Sequence, residues 1–394
     1  MKFNKWTVGL AAAGLVTLPS LVNAQTNMVQ TMTSGTTLSG YVDVAAQWNL
    51  GTGNANNPAY SFNSTGAGSK ADGFSLNIVN LTLDKPLDET PWAAGYHVEV
   101  GFGPDAGTLG TDSSFLNAGD IGVRQAYVTL RTPIGTGITW KVGVFDTIIG
   151  YESTTGPNNP NYTRSYGYSA EPTTHEGILG TYTICDAASV TVGIANTFGP
   201  QVGARDATSE ADKTWMVAGT LTAPKSWGWL ADSSTTLGVI NGFSAAVPVG
   251  PANPGADGKL THYYWGATLS TPVVGLKAGI AIDYRHPHDS AAKDDTWIYG
   301  VYSSYQATEK LSMHVRGEYV DDKAGLFAPQ GALTQERLFE LTYTVQYDLW
   351  KNVLSRAEVR WDHASNGQFF GGSVAGAPNR RNSILFAANL VYKF

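Results

Sequence analysis

Residues 383–394 read SILFAANLVYKF, and the sequence stops there. Ile384, Phe386, Ala388, Leu390, Tyr392 and Phe394 fall on one face of a strand, with Asn389 and Lys393 on the other. This is the period-2 pattern of a half-exposed strand. Chain termini usually fray, so a strand this committed implies a partner strand and a use for its outer face.

The same alternation recurs upstream. In 92–102, WAAGYHVEVGF, residues Ala94, Tyr96, Val98, Val100 and Phe102 oppose Gly95, His97, Glu99 and Gly101. In 355–362, SRAEVRWD, residues Ala357, Val359 and Trp361 oppose Arg356, Glu358, Arg360 and Asp362. About sixteen such segments can be placed, those near 193 and 239 being the weakest, and each is expected to carry one apolar and one polar face. Their connections alternate: a long polar loop after the first segment, then the short 86–91, PLDETP; another long loop, then 133–137, PIGTG. Only 224–233 is longer than its place in this series predicts.

A lipid-facing sheet must satisfy its backbone internally and leave no edge, so it closes into a barrel. The pattern therefore predicts an all-β, transmembrane antiparallel β-barrel of about 16 strands, with short periplasmic turns and long extracellular loops. The first strand then pairs with the last. Trp48, Trp92, Trp140, Trp215, Trp297 and Trp361 fall near strand ends, as an interfacial girdle requires, whereas Trp265 falls mid-strand. A two-sheet sandwich is the rival fold, but it would bury inward faces that are here strongly polar.

Residues 1–24, with basic Lys2 and Lys5, an apolar run and a small-x-small end at Val22-Asn23-Ala24, read as a secretory signal peptide; 25–35 form a short N-terminal segment and 36–394 the barrel. Beyond the leader no apolar run approaches the ~20 residues of a spanning helix. Charged residues are only 14% and the net charge is −7, which argues against nucleic acid as a partner. The single cysteine, Cys185, forms no intramolecular disulfide and is expected to be a small buried residue near a turn.

Two stretches carry a family resemblance. The ending Leu390, Tyr392, Phe394 resembles the C-terminal signature of Gram-negative outer-membrane proteins, which implies reading by the barrel-assembly machinery during insertion and outer-membrane lipid as surroundings. Residues 143–182 resemble the OmpL-like beta-barrel porin family through Gly143 and Phe145, Gly150-Tyr151-Glu152, Asn161, Arg164-Ser165, Pro172, His175 and Gly177. The resemblance implies an outer-membrane channel for small hydrophilic solutes, with no cofactor.

Strand parity makes Asp43, Glu99, Lys277, Asp283, Arg285, His314, Arg316, Glu318, Glu340, Arg356, Glu358, Arg360 and Asp362 pore-lining. Such a mixed-sign wall serves equally as a field acting on hydrated solutes or as a rigid salt-bridged lining. In trimeric general porins the loop after the fifth strand folds inward, so by resemblance 150–174 is the candidate constriction, with Glu152, Arg164, Glu171 and His175 as its polar groups. Acids in the other long loops (Asp105, Asp112, Asp206, Glu210, Asp212, Asp289, Asp294 and Asp295) suggest a mouth that enriches cations. A homotrimer would need a flat apolar wall on one side, and the outward faces are apolar almost everywhere, so the sequence singles out no such wall.

Hydrolase, phosphate-loop and dinucleotide motifs are absent. His286, His288 and Asp289 in 285–289, RHPHD, are read as solvated loop residues rather than a metal site, and inward-facing His97 and His314 suit no lipid-side Ser-His hydrolase. The alternative function is a barrel that displays its loops for binding, and conductance separates the two.

Overall fold

The computed structural model describes residues 29–30, 35–58, 72–106, 121–199, 202–205, 211–243, 258–288, 295–329, 335–372 and 377–394. The leader reading of 1–24 and the acids at 112, 206, 210, 289 and 294 lie outside these residues.

Sixteen antiparallel strands close on themselves. In chain order they are β1 (Thr37–Asn49), β2 (Gly73–Lys85), β3 (Ala94–Phe102), β4 (Ile121–Thr132), β5 (Ile138–Asp146), β6 (Thr174–Cys185), β7 (Ala188–Ala195) and β8 (Thr214–Thr222). The second half comprises β9 (Ser234–Phe243), β10 (Lys259–Ser270), β11 (Leu276–Pro287), β12 (Thr296–Gln306), β13 (Leu311–Asp322), β14 (Glu336–Trp350), β15 (Val353–Ala364) and β16 (Asn382–Lys393). Each strand pairs with its sequence neighbours, and β16 pairs with β1 from Leu385 opposite Asn49 to Lys393 opposite Tyr41. Val29–Gln30 adds a two-residue ladder on the start of β1.

That closure answers the opening stretch. Ile384, Phe386, Leu390 and Tyr392 are exposed on the outside, while Leu385, Ala387, Asn389 and Val391 are buried inside. Phe394 N donates to Gly40 O and Gly40 N to Phe394 O, both at 3.0 Å. Gly40 is open on its outer side because the Phe394 ring lies there: a Cβ would stand 2.8 Å from Phe394 Cζ and would also meet Asn80 O.

Outside, aromatic rings run side by side near the loop end of neighbouring strands, from Tyr263 to Tyr284 (5.7 Å between centroids), Trp297 (4.3 Å) and Tyr299 (5.9 Å). The series continues to Tyr319 (6.2 Å) and Phe339 (5.0 Å). Amphipathic rings at this level anchor a barrel at the headgroups. Trp265 is outward-facing too, with its indole N–H donated to Thr235 Oγ1 at 3.0 Å.

Two expectations require correction. The inner face is not polar all round: Leu179, Met216, Ala218, Ile240, Leu260 and Tyr264 of β6 to β10 point inward and are buried. Cys185 is exposed, because it lies at the last position of β6 beside the two-residue turn to β7.

Candidate functional site

Residues 147–173, between β5 and β6, do not leave the barrel. They first pack on the apolar inner face: Ile148 and Ile149 join Phe145, Leu179, Met216 and Ile240, and the Tyr151 ring stacks on Tyr302 with centroids 3.9 Å apart. Gly150 permits this entry. Its φ is +112°, and the Glu171 carboxylate occupies the place where a side chain would stand. Gly156–Asn158 forms a 3₁₀ turn with Pro157 at its start, and α1 (Tyr166–Ala170) is capped by Ser165, whose Oγ accepts from Tyr168 N at 2.9 Å. The segment thus arrives at the opposite wall with its backbone groups turned outward, toward β13 to β15.

The wall charges there bind that backbone. Glu358 accepts from Tyr162 N at 2.6 Å and Thr163 N at 2.9 Å; Glu318 accepts from Tyr166 N at 2.7 Å and Gly167 N at 3.0 Å. Arginines take the carbonyls: Arg316 Nη1 donates to Thr163 O at 2.8 Å, Arg360 Nη1 to Arg164 O at 2.5 Å, and Arg356 to Gly156 O and Asn159 O. Asn161 Nδ2 reaches Thr344 Oγ1 at 2.7 Å. The charges are also paired with one another: Arg316 contacts Glu152 at 2.7 Å and Glu340 at 3.1 Å, and Arg360 contacts Asp362 at 2.8 Å.

All these side chains are buried. An unmatched buried charge would be costly, but here each one meets an opposite charge or a backbone dipole, so the network fixes a single loop position. On the strands next to this wall, β16, β1 and β2, Tyr162 Oη donates to Gln47 Oε1 at 3.2 Å, while Asn77 and Asn389 each donate to Asp43 Oδ1 at 2.6 Å. On the return of the loop, the Glu171 carboxyl is buried beside Asp283. Burial beside that acid, with Glu152 and Glu318 near, holds its pKa well above the usual carboxylate range. Asp283 in turn contacts His262 Nε2 at 2.8 Å.

The residues expected from sequence therefore divide. Arg316, Glu318, Glu340, Arg356, Glu358, Arg360 and Asp362 come together, beneath the loop rather than open to solvent. Glu152, Arg164 and Glu171 belong to the loop that they hold; the Arg164 guanidinium lies 5.2 Å from the Tyr168 ring centroid. His175 does not join them. It is fully buried on β6, its Nε2 is 3.1 Å from Thr147 Oγ1, and its ring faces Phe145, so it is a core residue at the loop's hinge. Lys277 stands apart, exposed at the turn end of β11, and Arg285 lies near the loop end of the same strand. His314 bridges Ser312 and Ser304 at 2.9 Å each, below the loop.

A second charged group was not singled out from the sequence. Arg124 on β4 contacts Glu99 at 2.9 Å and grips Asp146, the last residue before the loop, at 2.7 and 2.8 Å. A bulge opposite Glu99 turns Arg124 inward, which strict alternation cannot foresee. Of the RHPHD stretch, read from sequence as loop, Arg285 to Pro287 close β11; His286 is hydrogen-bonded to Asp295 at 2.5 Å, and no metal-binding group is found among the described residues.

The sequence profile of the family described as "Putative beta-barrel porin-2, OmpL-like" matches residues 35–394. The chain belongs to this porin family. No curated protein matches it. Among solved structures, the anion-selective porin from Comamonas acidovorans superposes with a TM-score of 0.58 at 13% identity, covering 91% of this chain and 99% of that one. The outer-membrane channel DcaP of Acinetobacter baumannii gives 0.56 at 14% identity over 93% and 99% of the two chains. The trimer form of OmpT from Vibrio cholerae gives 0.57 at 13% over 91% and 99%. These likenesses are of fold. The porin is an outer-membrane channel for solute diffusion.

Proposed function

We propose that residues 147–173 set the narrowest passage of this porin, and that small hydrophilic solutes pass beside a loop fixed in place rather than through a gate that swings. The observation that carries this reading is the backbone clamp, in which Glu318 and Glu358 take four amide protons of the loop and Arg316, Arg356 and Arg360 take its carbonyls. Glu152, Arg164 and Glu171 then act by holding the loop, and the wall charges act mainly through it. A fixed constriction gives steady conductance, because a loop with this many charge-assisted bonds has no second position of similar energy.

Assembly as a homotrimer is supported by the uneven outer belt. Ring contacts run across β10 to β14, whereas the exposed outward side chains of β4 to β7 include Val128, Leu130, Val142, Ile178, Val192 and Ile194. An aliphatic arc suits a second copy of the chain better than a headgroup layer. The outward Leu390, Tyr392 and seated Phe394 fit recognition of the last strand by the assembly machinery.

The test is single-channel recording from the refolded protein in a planar bilayer under a salt gradient. Quiet, discrete steps are expected. Absence of steps from protein that is folded and inserted would overturn the channel reading and favour a barrel that only displays its loops.

A further inference from the structure

Charge is segregated along the barrel axis. Toward the loop end the inward charges are mostly acids: Asp283, Glu318, Glu340, Glu358 and Asp362, followed at the rim by Asp322 and Glu336. Arg285, Arg316 and Arg360 offset only part of this group. Asp322 and Glu336 have their carboxylates turned to backbone N–H groups, of Leu326 and Phe327 and of Arg337 and Asn366 respectively.

Below the loop, in the turn-end half of the barrel, the sign reverses. Arg131 and Lys141 lie on adjacent strands β4 and β5, Lys277 on β11 and Lys393 on β16, all at inward positions. The inward acids at this level are Asp84 and Asp348. Asp84 is engaged by His97 at 2.9 Å. Lys141 has its ammonium 4.7 Å from the Tyr127 ring centroid, and among the described residues no carboxylate lies within ion-pair distance of it. The carboxylates nearest in the fold are taken: Asp146 by Arg124 and Asp84 by His97. Lys277 is exposed, and Arg131, Lys141 and Lys393 are partly exposed, so these charges meet the water of the vestibule, unlike the acids buried in the clamp.

From this arrangement we infer that the periplasmic vestibule is an anion-holding compartment in series with an acidic outer half, so that the pore is bipolar and rectifies current. The inference rests on the open-channel reading above. The physics needs no binding pocket. A low-dielectric wall of one sign concentrates counter-ions beside it, so the vestibule draws anions, while the buried acids, more numerous than the arginines among them, leave a net negative field over the outer half that favours cations. When the external side is positive, cations enter from outside and anions from the periplasm. Both carriers accumulate at the loop and conductance is high. The opposite voltage draws both away, depletes the middle, and conductance falls. The compartment would hold multivalent anions such as polycarboxylates most firmly.

The experiment is current against voltage for single channels of known orientation, first in symmetric 0.1 M KCl. There screening reaches about 10 Å, and the current with the external side positive is expected to exceed that at reversed polarity on the order of 2-fold. The ratio should fall toward unity at 1 M, where screening shortens to about 3 Å. Citrate added on the periplasmic side should reduce the current more than citrate added outside. The variant Lys277→Gln, at an exposed rim position outside the clamp, and Lys141→Gln should each lower the ratio and weaken the citrate effect. A symmetric curve at 0.1 M, the opposite polarity, or equal block from both sides in channels that do open would overturn the inference. Failure to open at all is a different result and would fall on the channel reading itself.

Discussion

Replacing Glu358 by alanine should release the tip of the loop while leaving the barrel closed. The carboxylate accepts from Tyr162 N and Thr163 N and also from Thr344 Oγ1 at 2.6 Å. Hydrogen bonds to a charged group contribute about 1.5–3 kcal/mol each, so losing the two amide bonds weakens local attachment by about 3–6 kcal/mol. One decade in an equilibrium constant corresponds to about 1.4 kcal/mol, so the opening equilibrium at those amides shifts by roughly two to four decades. Strand pairing of β15 with β14 and β16 does not use the side chain, so the barrel should stay heat-resistant. The assay is amide hydrogen exchange in detergent, read at residues 161–167 and compared with β15. Protection lost from the loop alone, with noisier single-channel current, is the expected result. Unchanged protection of Tyr162 and Thr163 would refute the claim that Glu358 holds the loop.

Arg316→Ala should be more severe, since it leaves Glu152 and Glu340 buried without their partner; breaking such a pair costs about 3–5 kcal/mol. Denaturant titration of the refolded protein, with Arg316→Lys as an intermediate, measures it. The Glu171 latch should respond to pH in one direction. Its folded pKa is raised above the ordinary ~4.3, so its contribution is complete below that value and is lost as pH rises toward the folded pKa. Exchange at residues 150–173 should therefore quicken as pH rises beyond the intrinsic base dependence, and Glu171→Gln should flatten that excess. Gly40→Val should impair closure, because a Cβ there meets both the Phe394 ring and Asn80 O; the heat-modified gel shift of the folded barrel gives the readout, and a wild-type folded fraction would contradict it.

The fold was legible because its signal is local and repeated. All sixteen segments that alternation marks are strands, and the charged rows on β13 to β15 face inward as their parity requires. What parity could not carry is the apolar inner arc. In 214–222, TWMVAGTLT, Trp215 and Val217 face out while Met216 and Ala218 face in, and with both faces apolar the sequence offers no sign of which is which. The clamp was hidden for another reason. Glu318 and Glu358 bind backbone amides, which every residue possesses, so no motif in 147–173 announces its partners. A five-residue helix, Tyr166–Ala170, is also too short to show a period. His175 was misplaced because a histidine beside a polar loop looks alike in sequence whether its inward ring meets open water or, as here, is buried against Phe145.

The central claim is that the segment after β5 crosses the lumen and rests on the far wall. A cysteine pair tests this directly: Asn161→Cys with Thr344→Cys, in a Cys185→Ser background, since Asn161 Nδ2 and Thr344 Oγ1 lie 2.7 Å apart. A disulfide needs Cβ atoms about 3.5–4.5 Å apart, closer than a hydrogen bond between side-chain ends requires, so a short linker reactive with two thiols should join the pair, visible as a mobility shift that neither single cysteine gives. A barrel that is folded and inserted yet does not cross-link would show that the loop lies elsewhere.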